Sequence, residues 1–163
     1  MTVTHSVTIV AADHPSLDGA IGQFLHELRH EPRFFGPSGS ANPKPFPSLI
    51  EGLSHSGDGA RGSCFRLAAL DGGRVIGLAR VDRSGQVLVA VSPDRRGQGV
   101  GTVLARSVVE RARALGYMHL CLRSSRRSRA ATSLATSMGF MVIERGAGRL
   151  DLVLDLAPAS HSA

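Results

Sequence analysis

The stretch VSPDRRGQGVG, residues 91–101, constrains the fold more than any other. Three glycines (Gly97, Gly99, Gly101) fall within five positions, directly after a run of valines. Before it, GQVLVAV reads as a strand; after it, VLARSVVERARALG reads as a helix. Glycine in or near a helix costs roughly 0.5–1 kcal/mol against alanine. A chain that accepts this cost at a strand-to-helix handover needs bare backbone there, because something lies against it. The first turn of a helix has N–H groups without intrahelical partners and carries the positive end of the helix dipole. Such a terminus binds anions, commonly phosphate. Arg95 and Arg96 stand at its edge and add charge.

Around this point the pattern predicts an α/β domain. SVTIVAA is a first strand, and HPSLDGAIGQFLHELRH a helix with Leu17, Ile21, Phe24, Leu25 and Leu28 at helical spacing. SLIEGL is a short helix, with Ser48 and Glu51 at capping-box spacing. From residue 64, CFRLAAL, RVIGLARV and GQVLVAV follow one another through the turns DGG and DRSG, an antiparallel meander. The helix after the glycines runs from about Gly99 to Leu115, with Val100, Leu104, Val108 and Leu115 on its apolar stripe. MHLCL is a strand. The next helix has Ala131, Leu134, Ala135 and Met138 on one side and Gly139 as its stop. FMVIE and RLDLVLDL close the chain as a hairpin. Strand, helix and strand over residues 86–122 form a crossover unit, so the sheet is mixed, parallel in the middle. The domain spans residues 1–157, and 158–163 form a disordered tail.

Two common phosphate motifs do not fit. A P-loop needs a Lys after its last glycine, and none is present; a dinucleotide fingerprint needs G-x-G-x-x-G, and the spacing here is G-x-G-x-G. RGQGVGTVL instead resembles the signature [QR]-x-x-G-x-[GA] of the GNAT superfamily of acyl-CoA-dependent acyltransferases. Arg96, Gly99 and Gly101 take its defined positions, and VAVSPDRR is similar to that family's V-x-P-x-x-[QR] lead-in. The resemblance extends over the element order of residues 64–156. It implies a GNAT-type mixed sheet of about six to seven strands flanked by about four helices. It implies acetyl-CoA as co-substrate, with its pyrophosphate on the backbone of Gly97, Gln98, Gly99, Val100, Gly101 and Thr102 beside Arg96. The pantetheine arm is expected to pair with main-chain groups of Val89 and Val91 like an added strand. The valine side chains at 87, 89 and 91 can at the same time fill the core.

The resemblance also exposes departures. Where the family often has an Asn that hydrogen-bonds the cofactor, this chain has Ser128. Where a Tyr commonly protonates the leaving thiolate, it has Ala135. Ser133, Ser137 and Cys121 are weak substitutes, and Tyr117 is the one other phenol. Asp82, Glu27 and Glu51 are open as bases, but each reads more readily as an ordinary surface carboxylate, so no catalytic residue is assigned. Arg126, Arg127 and Arg129 form a basic cluster on the loop expected beside the cofactor, where they fit its ribose phosphate or simply solvent.

The remaining features exclude more than they assign. HELRH, residues 26–30, matches the zinc pattern H-E-x-x-H. At about 100° per residue, however, His26 and His30 lie opposite the apolar stripe, with Glu27 between them, so a solvated face is expected and no metal. The net charge of +6 is almost all Arg, with Lys44 the single lysine, yet no stacking aromatics are interleaved, so a nucleic-acid partner is disfavoured. Cys64 and Cys121 lack metal or disulfide spacing. No signal peptide or membrane span is readable, and a cytoplasmic location is expected. The partners expected are acyl-CoA and an amine acceptor, with a homodimer left open. The activity expected is N-acetyl transfer, the alternative being a CoA-binding module of the same fold with little turnover.

Overall fold

The structure is a computed structural model and describes residues 6–30, 51–54, 64–125, 129–146 and 149–156. Ser128, Arg126 and Arg127, Ser48 and the tail at 158–163 lie outside these residues. Among the described residues there are seven strands. They are β1 (Thr8–Ala11), β2 (Phe65–Asp71), β3 (Arg74–Val81), β4 (Gln86–Val91), β5 (His119–Ser125), β6 (Met141–Gly146) and β7 (Arg149–Asp155). The α-helices are α1 (Asp18–Arg29), α2 (Val100–Ala114) and α3 (Arg129–Ser137), with a further helical segment at 51–54. The strands form one sheet in the order β1-β2-β3-β4-β5-β7-β6, parallel only between β4 and β5. This is the expected mixed sheet. The closing hairpin lies in it reversed, with β7 beside β5 and β6 at the edge. No helix among the described residues is long and apolar enough to cross a membrane.

Strand alternation sends successive side chains to opposite faces, and two cores result. Phe65, Leu67, Ile76, Ala79, Val81 and Val87 face α2, which presents Val100, Leu104, Val108, Val109 and Ala112. Ala68, Val75, Leu78 and Ala90 face α1, which presents Ile21, Phe24, Leu25 and Leu28, with Leu53 beside them. Fully burying each such aliphatic side chain contributes about 1.5–3 kcal/mol. The alternating leucines of β7 place Leu152, Leu154 and Leu156 in the α2 core, while Asp155 is exposed.

Two expectations need correction. Leu115 is not on the buried stripe of α2: it caps the helix and is 39% exposed, and Val109 and Ala112 complete the stripe instead. β5 runs to Ser125 rather than Leu122, because β7 keeps pairing with it as far as Arg149. Among the described residues the last helix covers Arg129–Ser137. It ends as expected at Gly139, where the Phe140 N–H donates to the Ala135 carbonyl (3.0 Å) and the Gly139 N–H to that of Thr136 (3.0 Å).

At Gly77 on β3, α2 packs close against the sheet. A Cβ there would stand 3.3 Å from both Leu104 Cδ2 and Val100 Cγ1. Gly77→Val should therefore lower unfolding stability by about 1–3 kcal/mol through overpacking. Gly22→Ala, on the exposed side of α1 with nothing within 4 Å of its Cβ, should raise it by up to about 1 kcal/mol. Urea unfolding of the two variants checks both signs.

Candidate functional site

The site is built around a failure of strand pairing. β4 is bonded to β3 from Val81↔Val87 to Gly77↔Val91, but to β5 only at Gln86↔Cys121 and Val87↔Leu122. Beyond Val87 the two parallel strands splay. The Asp82 N–H donates to the Gln86 carbonyl (3.1 Å), and the Ser92 N–H to that of Ile76 (2.8 Å). Antiparallel alternation therefore turns the even residues of β4 toward β3. The main-chain groups of Val87, Val89 and Val91 point the other way, and at Val89 and Val91 that is into the splay. Their side chains meanwhile pack on the α2 core, Val89 and Val91 half-buried and Val87 buried. The core reading of the valine side chains is thus met.

The open end of the splay meets the glycine turn. Gly97 (φ +74°) and Gly99 (φ +82°) both adopt left-handed backbone, which L side chains disfavour. A Cβ at either would meet nothing within 4 Å, so conformation, not crowding, accounts for glycine here. Gly99 is the N-cap of α2, and the helix's first bond runs from the Val103 N–H to the Gly99 carbonyl (3.1 Å). The N–H groups of Val100, Gly101 and Thr102 thus stand ahead of the helical ladder, at the positive end of its dipole. Arg96, Gly97, Gln98 and Gly99 are exposed, Gly101 and Thr102 half-buried, and the Val100 side chain is buried. Gly101 would admit a Cβ at 3.5 Å from Leu134 Cδ2, an ordinary contact, and its backbone is not left-handed, so neither packing nor conformation demands glycine there.

Two arginine clamps hold this turn. Arg74 at the head of β3 donates to both oxygens of Asp94 (2.9 and 3.4 Å) and to Glu27 Oε2 on α1 (3.2 Å). Arg95 donates to Asp71, and both of these side chains are largely buried. Arg95 therefore fastens the turn rather than adding free charge to it, which corrects its expected role. Gln98 Nε2 donates to the Asp94 carbonyl (3.2 Å). The hydrogen bond from Arg74 holds the Asp94 carboxyl below its ordinary range, and Asp94 in turn raises the Arg74 guanidinium.

The other candidates are scattered. Glu27 is held by Arg74. Asp82 accepts from the Ser84 N–H (2.9 Å), the Ser84 hydroxyl (2.7 Å) and the Gln86 N–H (3.0 Å), and so closes the β3–β4 turn. Glu51 is exposed on 51–54, whose Gly52 lies against Leu88 of β4. Ala135 is buried in the α2 core; Ser137 donates to the Leu134 carbonyl (2.7 Å), and Ser133 is exposed. Cys121 stands at the β4–β5 bridge, half-buried. Burial and then the Asp151 carboxylate push its thiol above the ordinary value. His26 and His30 are exposed, with their rings 4.4 Å apart, and among the described residues no third ligand joins them. Sequence reasoning missed Arg66, Arg80 and the ion pair of Arg123 with Asp151 (3.3 Å). The signal was present: two arginines inside otherwise apolar strand runs.

Comparison with known proteins agrees with this geometry. The model described as Acetyltransferase (GNAT) family matches residues 23–140. The chain is 33% identical over 85 residues to "Probable N-acetyltransferase camello" of Xenopus tropicalis, a match over 48% of this chain and 38% of that one. It thus spans well under two thirds of that relative's length. Among solved structures it is similar to an acetyltransferase of the GNAT family from Streptococcus pneumoniae (TM-score 0.68, 20% identity, covering 91% and 97% of the two chains). It is also similar to the ribosomal-protein-S18-alanine N-acetyltransferase of Escherichia coli (0.67, 17%, 97% and 99%). A third is the PaiA N-acetyltransferase of Thermoplasma acidophilum in complex with coenzyme A (0.71, 12%, 92% and 99%).

Arg74→Ala removes both of that residue's pairs. These groups are partly exposed, so the expected loss is no more than about 1 kcal/mol, shrinking as salt rises. The carboxyl of Asp94 is depressed, so its contribution is present above its unfolded pKa of about 4. It disappears as pH falls through the lower folded value. The stability gap between wild type and Arg74→Ala should thus close in acid, and Arg83→Ala, at an exposed turn arginine, should show no gap. Thermal unfolding across pH and salt checks this.

Proposed function

Because the chain belongs to the GNAT family of acetyltransferases, we propose that it transfers an acetyl, or other acyl, group from acyl-CoA directly to a primary amine. The observation that carries this reading is the splay. Unpaired β4 main chain at Val89 and Val91 runs straight to a glycine-capped helix N-terminus. An amide-bearing arm can complete the ladder of the first, and a pyrophosphate suits the second. Arg96 lies beside the phosphates, with Gly97, Gln98, Gly99, Val100, Gly101 and Thr102 forming their cradle. Ser128 is kept as a polar contact on sequence grounds alone.

Acyl-CoA supplies a thioester carbon to which the amine nitrogen adds; the C–N bond forms, the C–S bond breaks, and the proton leaves with the thiol. The chain's share is orientation and charge. β4 fixes the direction of approach, and the α2 terminus neutralises phosphate. Ala135 offers no proton. A thiol pKa near ~8.5 makes thiolate a tolerable leaving group around neutrality. General-acid assistance is worth about 10²–10⁴-fold, so turnover is expected to be slow but measurable. The buried Ala135 also favours a second reading, a CoA-binding module with little turnover, which release of CoA thiol in the presence of amines tests directly.

Acetyl-CoA should raise the melting temperature by mass action. Gly99→Glu, which forces a side chain and a negative charge into left-handed backbone at the cradle, should abolish that rise. An undiminished rise in the variant overturns the placement.

Tyr117 lies in the connection between α2 and β5, at the far end of the α2 crossover from the glycine turn. Its ring packs edge-on to Phe65 (5.9 Å, 78°), its hydroxyl is buried without a partner, and burial raises its pKa. Tyr117→Phe should leave kcat within a few-fold and, by removing an unsatisfied hydroxyl, leave stability unchanged or improved. Loss of nearly all activity with acetyl-CoA binding intact would make this phenol the acid.

A further inference from the structure

One line of side chains crosses the α1 face of the sheet at the level where the splay opens. The Ala12 N–H donates to the Arg66 carbonyl (2.8 Å), Arg66 pairs with Arg80, and Arg80 pairs with Leu88. Val87 is bridged to Leu122, so the next residues, Leu88 and Arg123, face each other across the opening splay. Arg123 pairs with Asp151. Cross-strand partners share a face, and this face is the one on which Leu88 packs with the α1 core. Three guanidinium groups and one carboxylate therefore stand in a row, on the side of the splay opposite α2.

Their charges do not balance. Arg66 is 2% exposed; it donates to the carbonyls of Leu53 (3.1 Å) and Ala12 (2.9 Å), and its buried Nε has no partner. Arg80 is half-buried, with the Cys64 thiol at 4.0 Å and its Nε again buried without a partner. Among the described residues no carboxylate is paired with either. Asp82, two residues from Arg80, is turned into its own loop. The one carboxylate of the row, Asp151, serves Arg123, whose side chain is 65% exposed. Guanidinium does not lose its proton in proteins. Like charges directly opposite on a ladder destabilise it, and buried charge is costly when uncompensated. Packing does not explain two adjacent arginines kept under these terms. A ligand that brings negative charge to this face does.

We propose that the acceptor is an acidic amine, one that carries a carboxylate or phosphate group near the nitrogen that is acylated. Arg80 and Arg123, on either side of Leu88, receive that oxyanion, and Arg66 adds positive potential from beneath the 51–54 segment. Guanidinium suits both anions through its planar fork. Acceptor charge and acyl donor then approach from opposite faces of the sheet and meet at the splay. The inference rests on the amine-transfer reading above.

The test uses matched acceptors at one pH and ionic strength: β-alanine against propylamine, and phosphoethanolamine against ethylamine. CoA thiol release and the mass of the acylated product are followed. The acidic member of at least one pair should show a kcat/KM at least about tenfold higher, and the better pair identifies the oxyanion. In Arg80→Gln and in Arg123→Gln the acidic-to-neutral ratio should fall toward one. Arg123 is exposed, so its variant keeps the test alive if Arg80→Gln does not fold. Added salt should lower the ratio. Neutral amines used as well as their acidic partners, or a preference that survives in both variants, would overturn the acidic-acceptor inference while leaving amine transfer intact. Bound acetyl-CoA with no acylation of these or any wider set of primary amines would instead overturn the transfer reading, and this inference with it.

Discussion

Everything at the candidate site depends on β4 having one bonded edge and one abandoned edge. β3 holds β4 along its length, and β7 holds β5 along its length, but β4 and β5 hold each other over two residue pairs only. The sheet is thus two well-paired halves joined at a short parallel bridge. Buried or half-buried backbone polar groups need partners. At Val89 and Val91 the fold has turned such groups toward a gap instead of toward a strand. A protein that only needed stability would close that gap by extending the β4–β5 ladder. Keeping it open costs sheet pairing, and in the proposed function a strand-like acyl-CoA arm recovers that cost.

The glycine turn is the second half of the same device, and it is held from outside. Left-handed backbone at Gly97 and Gly99 shapes the turn, but glycine alone would also leave it loose. The two arginine clamps counter that by tying Asp94 to β3 and α1, and Arg95 to the end of β2. Each exposed pair is weak by itself. The bidentate contact and the three-membered network of Arg74, Asp94 and Glu27 make them worth more together. They also link α1, on the acceptor face, to the turn at the head of α2.

Much of this was legible in the sequence, for local reasons. Alternation in RLDLVLDL, helical spacing in GAIGQFLHEL and the left-handed stops at helix ends each depend on near neighbours. The glycine spacing with its flanking strand and helix pointed to the left-handed turn at Gly97 and Gly99 that opens α2. What was not legible is long-range. The insertion of β7 between β5 and β6 depends on how the last hairpin docks. Leu115 looks apolar and periodic, yet the helix ends before it can turn inward. Arg95 looked like free charge because Asp71 is distant in sequence. Arg66, Arg80 and Arg123 lie on three separate strands, and only the register brings them into a row.

The absence of a phenol at Ala135 fits the rest of the arrangement. Ala135 is 3% exposed and packed in the α2 core, next to the stop that turns the chain into β6. A Tyr introduced there would need space the core does not offer without moving α3 away from the sheet. Nor do the nearby hydroxyls replace it, since Ser137 is committed to its own helix. Cys121 sits at the bridge and stays protonated through burial, but its side chain lies on the α1 face, across the sheet from Ala135. The chain therefore relies on what its backbone supplies: an open strand edge, a helix terminus and fixed geometry. In the proposed transfer, proton traffic then falls to water and to the acceptor itself. An acceptor anchored by an oxyanion on Arg80 and Arg123 would be held long enough for that slower route to succeed.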